Sequence, residues 1–341
     1  MYGWLSALAS AVLFGAATPA AKRLLLDLTA FQLAGLFYLG AAIGIAPRAL
    51  WRRGDRPPLD RINRSRLAGA VVLGGIAGPV LLLLGLRSAS AGSVSLLLNV
   101  EVAATALLGA LLFGETLGTR GWCGVCGVIA AGAILSWRSG WPGAISALLV
   151  AAACTCWGLD NNFTALIDGM SPSETTLWKT AIAGTTNLLI GIAFEPIRAP
   201  AATIATALGV GALCYGVSIA LYITAAHQEG AIRAQSVFAA APFVGTVLSW
   251  AVLHEPVQHV QLLAGVFFMG AIALLTLDRH SHPHAHESLD HTHSHRHDDG
   301  HHGHAHPDLP VGVRHTHWHE HPATEHTHPH VADLHHRHGS R

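Results

Sequence analysis

Two long apolar stretches of similar design recur in this chain. The first covers residues 91–115 and the second residues 230–255. Each begins with small residues and ends on a glutamate, Glu115 in the first and Glu255 in the second, 140 residues later. Self-similarity at a fixed spacing is the signature of a repeated structural unit. The sequence therefore predicts that one unit has been duplicated.

The stretches belong to a longer series of ten apolar runs, five in each half of the chain. They lie near residues 4–21, 29–50, 67–86, 91–113 and 121–137, and near residues 143–165, 174–194, 203–225, 231–253 and 259–277. Each run has roughly the 20 residues that a helix needs to cross ~30 Å of hydrocarbon. Because five is an odd number of crossings, the second unit must enter the membrane in the opposite orientation. We therefore predict an all-α integral membrane protein with ten transmembrane helices in two inverted repeats, an arrangement of many secondary transporters.

The placement of charge favours a membrane protein over a soluble α/β protein. Hydrophobic residues make up 51% of the chain and charged residues only 12%. Before residue 278 the charges lie almost entirely between the apolar runs, whereas soluble helices carry them on an outer face every three or four residues. The first run begins too early for a secretory signal and has no basic segment before it, so we expect it to remain as the first helix. The lipid bilayer is the expected partner.

Arginines concentrate around the polar segment between the second and third runs. They are Arg48, Arg52, Arg53, Arg56, Arg61, Arg64 and Arg66. Short basic loops stay on the cytoplasmic side of a membrane. We therefore expect both termini to be cytoplasmic, in a bacterial-type plasma membrane. Residues 1–138 and 139–278 are the expected repeats, and residues 279–341 the expected tail.

Glu101 lies near the middle of the fourth apolar run. Asn99 precedes it, and Thr105 follows one helical turn later on the same face. A carboxylate at mid-bilayer costs about 2.5–3.5 kcal/mol on insertion scales and usually faces a cavity or a partner. We interpret Glu101 as a group that carries a proton or contacts the cargo. The alternative is a protonated glutamate that is bonded to another helix.

The sixth and seventh runs supply polar candidates at a common depth. Asp160, Asn161 and Asn162 lie near the end of the sixth run, and Lys179 lies in the seventh. If the two helices turn near Gly169, Asp160 and Lys179 are equally far from the bend, which predicts an ion pair. Such a pair is either a structural clasp or a switch that responds to cargo.

Two further candidates lie near helix breaks. Lys22 follows Gly15 and Pro19, which weaken the first helix, and either contacts cargo or extends its long side chain to the membrane interface. Gln235 lies near the start of the ninth run, before the break expected at Pro242.

The composition changes abruptly after residue 278. Of the 25 histidines, 22 lie beyond that residue, mostly as His-x-His repeats. With few large apolar residues, this tail is expected to be disordered without a ligand. Residues i and i+2 of an extended chain point the same way, so each His-x-His repeat presents two imidazoles on one side. Nitrogen ligands without cysteine suit zinc, nickel, cobalt or copper(II). The alternatives are a metal buffer attached to an unrelated carrier and a polycation that charges as histidine titrates near ~6.5. The candidate ligands are His282, His284, His286, His291, His293, His295, His297, His301, His302, His304, His306, His315, His317, His319, His321, His326, His328 and His330.

Several of these features resemble EamA-type carriers of the drug/metabolite transporter superfamily over residues 1–278. They are the segments ending in Glu115 and Glu255, the glycine-containing helices after them, and the pairs Phe14-Gly15 and Trp157-Gly158. The resemblance implies ten helices in two inverted repeats, cytoplasmic termini, a central cavity, and export or exchange of small metabolites. It specifies no cargo. The chain departs from the pattern at Glu101, where the second repeat has Pro242, and in the tail.

Three functions fit these observations. The first is a secondary transporter that exports a small polar metabolite by alternating access between the repeats. The second is a divalent-metal carrier whose tail collects ions, although the apolar runs lack Asp, His and Cys clustered at one depth. The third is a membrane sensor in which metal orders the tail. We expect no enzyme, since no nucleophile–base set or phosphate-binding loop occurs, no required cofactor and no nucleic-acid partner; neither a monomer nor a homodimer is favoured.

Overall fold

Long helices make up nearly all of the described chain before the tail. The chain divides into two units, one comprising mainly Met1–Asp278 and the other mainly Arg279–Ala332. The computed structural model describes residues 2–51, 59–114, 117–137, 140–167, 170–276, 280–286, 289–295, 315–321 and 324–330.

Within these described residues, ten helices are long and apolar enough to cross a membrane, which confirms the predicted architecture. We number them spans 1–10 in chain order. Spans 2, 5, 6, 7 and 10 are single helices, Ala30–Trp51, Thr119–Trp137, Gly140–Ala165, Pro172–Phe194 and His259–Thr276. Span 1 combines Tyr2–Gly15 with Ala17–Leu24, span 4 combines Ala91–Leu97 with Val100–Leu112, and span 9 combines Ala231–Phe238 with Ala241–Leu253. Span 3 is Arg61–Ala70, Val71–Ala77 and Gly78–Ser88, and span 8 is Ala201–Val210, Gly211–Val217 and Ser218–Glu229, the middle segment of each being a π-helix.

Spans 3 and 7 begin earlier than their apolar runs predict, because polar residues cap their first turns. The Asp60 carboxylate accepts a hydrogen bond from the Asn63 backbone N–H at 2.7 Å. Before span 7, the Ser171 hydroxyl accepts from the Glu174 N–H at 3.3 Å, while the Glu174 carboxylate accepts from the Ser171 N–H at 2.8 Å. Such caps satisfy donors that the first turn of a helix leaves unpaired.

The same irregularities recur in both repeats. The π-helical segments Val71–Ala77 and Gly211–Val217 begin 140 residues apart, and spans 4 and 9 each break near their middle. Gly15 and Gly158 allow matching close crossings: span 1 meets the backbone of span 9, and span 6 meets the backbone of span 4. The duplication inferred from sequence therefore extends to local helix distortions.

Most packing occurs between the two repeats. Span 2 packs against span 7, span 4 against span 9 and span 5 against span 10. Span 1 contacts spans 8 and 9, while span 6 contacts their counterparts, spans 3 and 4. Exchanging the repeats leaves the first three contacts unchanged and converts the contacts of span 1 into those of span 6. The arrangement is that of two similar halves related by a pseudo-twofold axis.

Spans 2 and 8 approach each other with no side chain between their backbones. A Cβ on Gly40 would meet the Leu208 carbonyl oxygen, and one on Gly44 would meet the Ala212 carbonyl oxygen. In return, a Cβ on Gly211 would meet the backbone of span 2. Small residues permit this kind of close approach between membrane helices.

Four short strands are described in the tail. They are β1 (His280–His286), β2 (Leu289–His295), β3 (His315–His321) and β4 (Thr324–His330). β1 pairs with β4 and β2 pairs with β3, both antiparallel. A His-x-His alternation has the two-residue period of a strand, and disorder of the tail without a ligand stays a prediction. The candidate ligands His297, His301, His302, His304 and His306, and also Glu115, lie outside the described residues.

Candidate functional site

Two backbone carbonyls of span 3 accept hydrogen bonds from other spans. Pro79 has no N–H, so it cannot donate to Gly75 as in an α-helix or to Gly74 as in a π-helix. Instead, the Tyr38 hydroxyl and the Trp157 Nε1–H donate to the Gly74 carbonyl at 2.8 and 2.9 Å. The Asn187 amide donates to the Gly75 carbonyl at 3.2 Å. The π-helix thus connects spans of both repeats.

Asp160 and Lys179 form a buried ion pair beside this segment. Lys179 Nζ lies 2.6 Å from Asp160 Oδ2, and the two side chains are 17% and 4% exposed. The Thr164 hydroxyl donates to the other Asp160 oxygen at 3.0 Å. The carboxylate occupies the space that a Cβ on Gly74 would fill. The predicted pairing is therefore present, although Gly169, near which the bend was expected, lies outside the described residues.

Glu101 is hydrogen-bonded across to span 6. The Asn161 amide donates to Glu101 Oε1 at 3.0 Å and to the Thr105 hydroxyl at 3.2 Å, which confirms that Glu101 and Thr105 share a face. Glu101 is half-buried and Asn161 is exposed. Among the described residues, no basic side chain forms an ion pair with Glu101.

These contacts define one polar cluster drawn from spans 2, 4, 6 and 7. Glu101 is close enough to Asp160 and Lys179 to interact with their charges. Tyr38 is likewise close enough to interact with the carboxylates of Asp160 and Glu101. We use the name polar cluster for Tyr38, Glu101, Thr105, Trp157, Asp160, Asn161 and Lys179.

Aromatic rings form a second group, contributed by spans 1, 2, 8 and 9. Phe14 lies 5.5 Å from Tyr215 and 5.1 Å from Phe238, measured between ring centroids. Tyr222 lies 5.2 Å from Phe238, and Phe37 lies 5.7 Å from Tyr215. We call these five residues the aromatic cluster.

Lys22 lies at the loop between spans 3 and 4, apart from the polar cluster. Its ammonium group donates to the carbonyls of Leu86 and Ala89 at 2.7 and 2.8 Å. On the other side of the loop, Glu255 accepts from the backbone N–H groups of Ala91 and Gly92 at 2.7 and 2.9 Å. A cation at a helix C-terminus and an anion at an N-terminus complement the helix dipoles. The structure thus gives Lys22 and Glu255 capping contacts.

The other predicted candidates contact helix backbones or neighbouring side chains. The buried Asn99 amide donates to the Leu96 carbonyl at 2.8 Å, at the break in span 4. The Asn162 amide donates to the Gly158 carbonyl at 2.7 Å and to the Thr105 carbonyl at 3.2 Å, and so joins spans 6 and 4. The Gln235 side chain accepts from the Tyr222 hydroxyl at 2.8 Å.

Sequence reasoning missed Tyr38, Trp157 and Thr164. For two of them a signal was present, since positions 157, 160, 161 and 164 have the i, i+3, i+4, i+7 spacing of one helix face. Tyr38 had no such signal. Its partner is a backbone carbonyl of another span, which side-chain patterns do not reveal.

Comparison with known proteins then assigns the family. The model of the EamA-like transporter family matches residues 1–137 and again residues 144–277. The chain belongs to the EamA-like transporter family. A relative named "Uncharacterized transporter" from Methanothermobacter thermautotrophicus is 26% identical over 304 residues, which cover 81% of this chain and 86% of the relative. One protein crystal structure superposes with a TM-score of 0.54 over 81% of this chain and 96% of its own, at 19% identity, and supports the fold alone.

Membership of the EamA-like family makes this protein a multi-pass membrane transporter and not an enzyme. Its surroundings are the lipid bilayer and its cargo is a small molecule. The two family matches coincide with the five-span halves that exchange contacts in the fold. The polar cluster takes residues from both of these halves.

Proposed function

We propose that this EamA-like protein is a secondary transporter that exports a small polar metabolite by alternating access at the polar cluster. Spans 2 and 4 of one repeat and spans 6 and 7 of the other contribute to the cluster, so rocking of the repeats changes access to it. The contact between Glu101 and Asn161 carries the proposal. Placing an ionisable side chain inside a membrane span costs free energy, and such a residue commonly marks an ion or substrate pathway.

The orientation belongs to the same proposal. Basic residues around the loop between spans 2 and 3 support a cytoplasmic location for that loop and for both termini, in a bacterial-type plasma membrane. Of these residues, Arg52, Arg53 and Arg56 lie outside the described part of the chain.

The ligand sets in the spans favour a metabolite over a divalent metal as cargo. Among the described residues, no three His, Cys, Asp or Glu side chains form a group that could hold a metal ion. Asp160 is paired with Lys179, and Glu101 is bonded to an amide. A hydrated divalent ion requires several oxygen or nitrogen ligands at one place.

Replacing Glu101 with Gln tests the proposal, because the change keeps the size of the side chain and removes its charge. We expect flux of the transported metabolite into proteoliposomes to fall about 10- to 100-fold, which corresponds to about 1.4–2.8 kcal/mol. Stimulation of flux by an imposed proton gradient should also disappear. The measurement is counterflow of a labelled panel of amino acids, amines and sugar phosphates.

The matched control is Glu195→Gln, which neutralises an exposed carboxylate between spans 7 and 8. This variant should transport like the unmodified protein. Unchanged flux and unchanged proton dependence in Glu101→Gln would contradict the role proposed for Glu101.

We further propose that the tail binds zinc, nickel or cobalt. The backbone register places histidine opposite histidine in both strand pairs. The pairs are His280 with His330, His282 with His328 and His284 with His326 in one, and His291 with His319, His293 with His317 and His295 with His315 in the other. Directly opposed residues have Cβ atoms roughly 4.5–5.5 Å apart, and alternate residues share a face. In each strand pair the backbone register therefore sets histidine positions side by side, which supports nitrogen ligation of a metal.

Truncation after Arg279 is expected to abolish metal binding by the purified protein. The full chain should retain at least one Zn²⁺ or Ni²⁺ for each of the two strand pairs after dialysis, measured by elemental analysis. Replacing the histidines of β2 and β3 alone with alanine should lower the bound metal without abolishing it, since the other pair is left intact. Equal metal content in the full and truncated chains would refute this proposal.

A further inference from the structure

The two repeats place chemically different side chains at matching positions. Glu101 of span 4 and Pro242 of span 9 each follow the break in their span by two residues. Lys179 of span 7 and Phe37 of span 2 each lie seven residues after the first residue of their helix. The polar cluster therefore has an uncharged, largely aromatic counterpart in the other half of the protein.

Tyr38 connects the polar cluster to the aromatic cluster. Its hydroxyl donates to the Gly74 carbonyl, which Trp157 also contacts, while its ring centroid lies 6.3 Å from that of Tyr215. Tyr215 in turn contacts Phe14. Both of these rings are partly exposed, as is Glu101. Tyr38 thus neighbours both the Glu101 carboxylate and the ring of Tyr215.

The groups that neighbour Tyr38 favour a positively charged ligand. The charge of Asp160 is balanced by Lys179 at 2.6 Å, whereas Glu101 has an amide donor and, within the described chain, no basic partner. Aromatic ring faces also attract cations, through their quadrupoles. An anionic group would be repelled by Glu101 and would gain nothing from the ring faces. The carboxylate and the ring faces therefore both favour a cation over an anion.

We propose that the cargo is a small organic cation, an amine that also carries an aromatic or other apolar portion. Its ammonium group pairs with Glu101 and its apolar portion packs against Phe14, Tyr215 and Phe238. The Thr105 hydroxyl and the Asn161 carbonyl oxygen are suitable acceptors for the remaining N–H groups. This inference rests on the proposed transport function and narrows its substrate class.

Three probes with the same ring and a short carbon arm test the class of cargo: 2-phenylethylammonium, 2-phenylethanol and 3-phenylpropionate. We expect the full-length protein in nanodiscs to bind the amine about tenfold more tightly than the alcohol or the carboxylate, as one charge-assisted contact provides. Glu101→Gln should reduce binding of the amine to the level of the alcohol. Phe14→Leu should weaken binding of the amine about threefold, through loss of aromatic packing against the ring of the probe.

Two control variants keep the test decisive. Glu101→Asp retains the charge and should retain the preference for the amine, while Glu195→Gln should bind all three probes like the unmodified protein. Thermal unfolding of each variant verifies that it is folded. Binding of the alcohol or the carboxylate as tight as that of the amine, or a preference for the amine that survives Glu101→Gln, would overturn the inference.

Counterflow in proteoliposomes separates this inference from the proposed function. Exchange of the labelled amine above the rate in protein-free liposomes supports both. Exchange of neutral or anionic metabolites without the amine refutes the cationic class and leaves the transport function standing. If no compound exchanges faster than in protein-free liposomes, both proposals fail.

Discussion

Neutralising Asp160 alone, by Asp160→Asn, is expected to destabilise the protein by about 3–5 kcal/mol. The Lys179 side chain is only 17% exposed, so its ammonium group would remain in the protein interior without its anion. An unpaired charge in a low-dielectric interior is far more costly than a buried neutral group. Denaturant unfolding in detergent, followed by tryptophan fluorescence, measures this loss.

The double variant Asp160→Asn with Lys179→Met provides the control. It removes both charges, so most of the stability lost in the single variant should return, and a double-mutant cycle should give a coupling energy of about 2–3 kcal/mol. Asp27→Asn, at an exposed carboxylate that accepts from Thr203, should change stability by less than about 1 kcal/mol. Additive costs for the two single variants would show that the pair is not coupled.

The same double variant separates the two interpretations of the ion pair. If the pair is a structural clasp, a stable double variant should transport its cargo at nearly the normal rate. If the pair opens and closes with cargo, transport should be lost even though stability is restored. Flux and stability measured on one preparation therefore distinguish a clasp from a switch.

The features that sequence predicted depend on distances along a single helix or across a single turn. Ten spans follow from the lengths of apolar runs, and the inversion of the repeats follows from their number. The shared face of Glu101 and Thr105 follows from a four-residue spacing. The pairing of Asp160 with Lys179 follows from their equal distances to one bend.

The features that sequence did not predict depend on backbone groups of distant spans. The Gly74 carbonyl accepts hydrogen bonds from Tyr38 and Trp157 because Pro79 and the π-helix leave it without a backbone donor. A pattern of side chains in the sequence does not reveal such a backbone acceptor. Lys22 was ambiguous for the same reason, since its partners are backbone carbonyls more than 60 residues away. The aromatic cluster likewise forms only when spans 1, 2, 8 and 9 meet.

The glycine contact between spans 2 and 8 leads to the second prediction of large effect. Gly40→Ala should destabilise the protein by about 3 kcal/mol, because the new Cβ would meet the Leu208 carbonyl oxygen, a backbone atom that cannot rotate away. This loss should appear although alanine has a higher helix propensity than glycine, by about 1 kcal/mol.

Gly270→Ala in span 10 is the matched control, since a Cβ there meets nothing within 4 Å. This variant should leave stability unchanged or raise it by up to about 1 kcal/mol. In one detergent, the thermal unfolding temperature should therefore fall for Gly40→Ala and stay the same or rise for Gly270→Ala. Equal shifts would mean that helix propensity, and not the contact between repeats, governs Gly40.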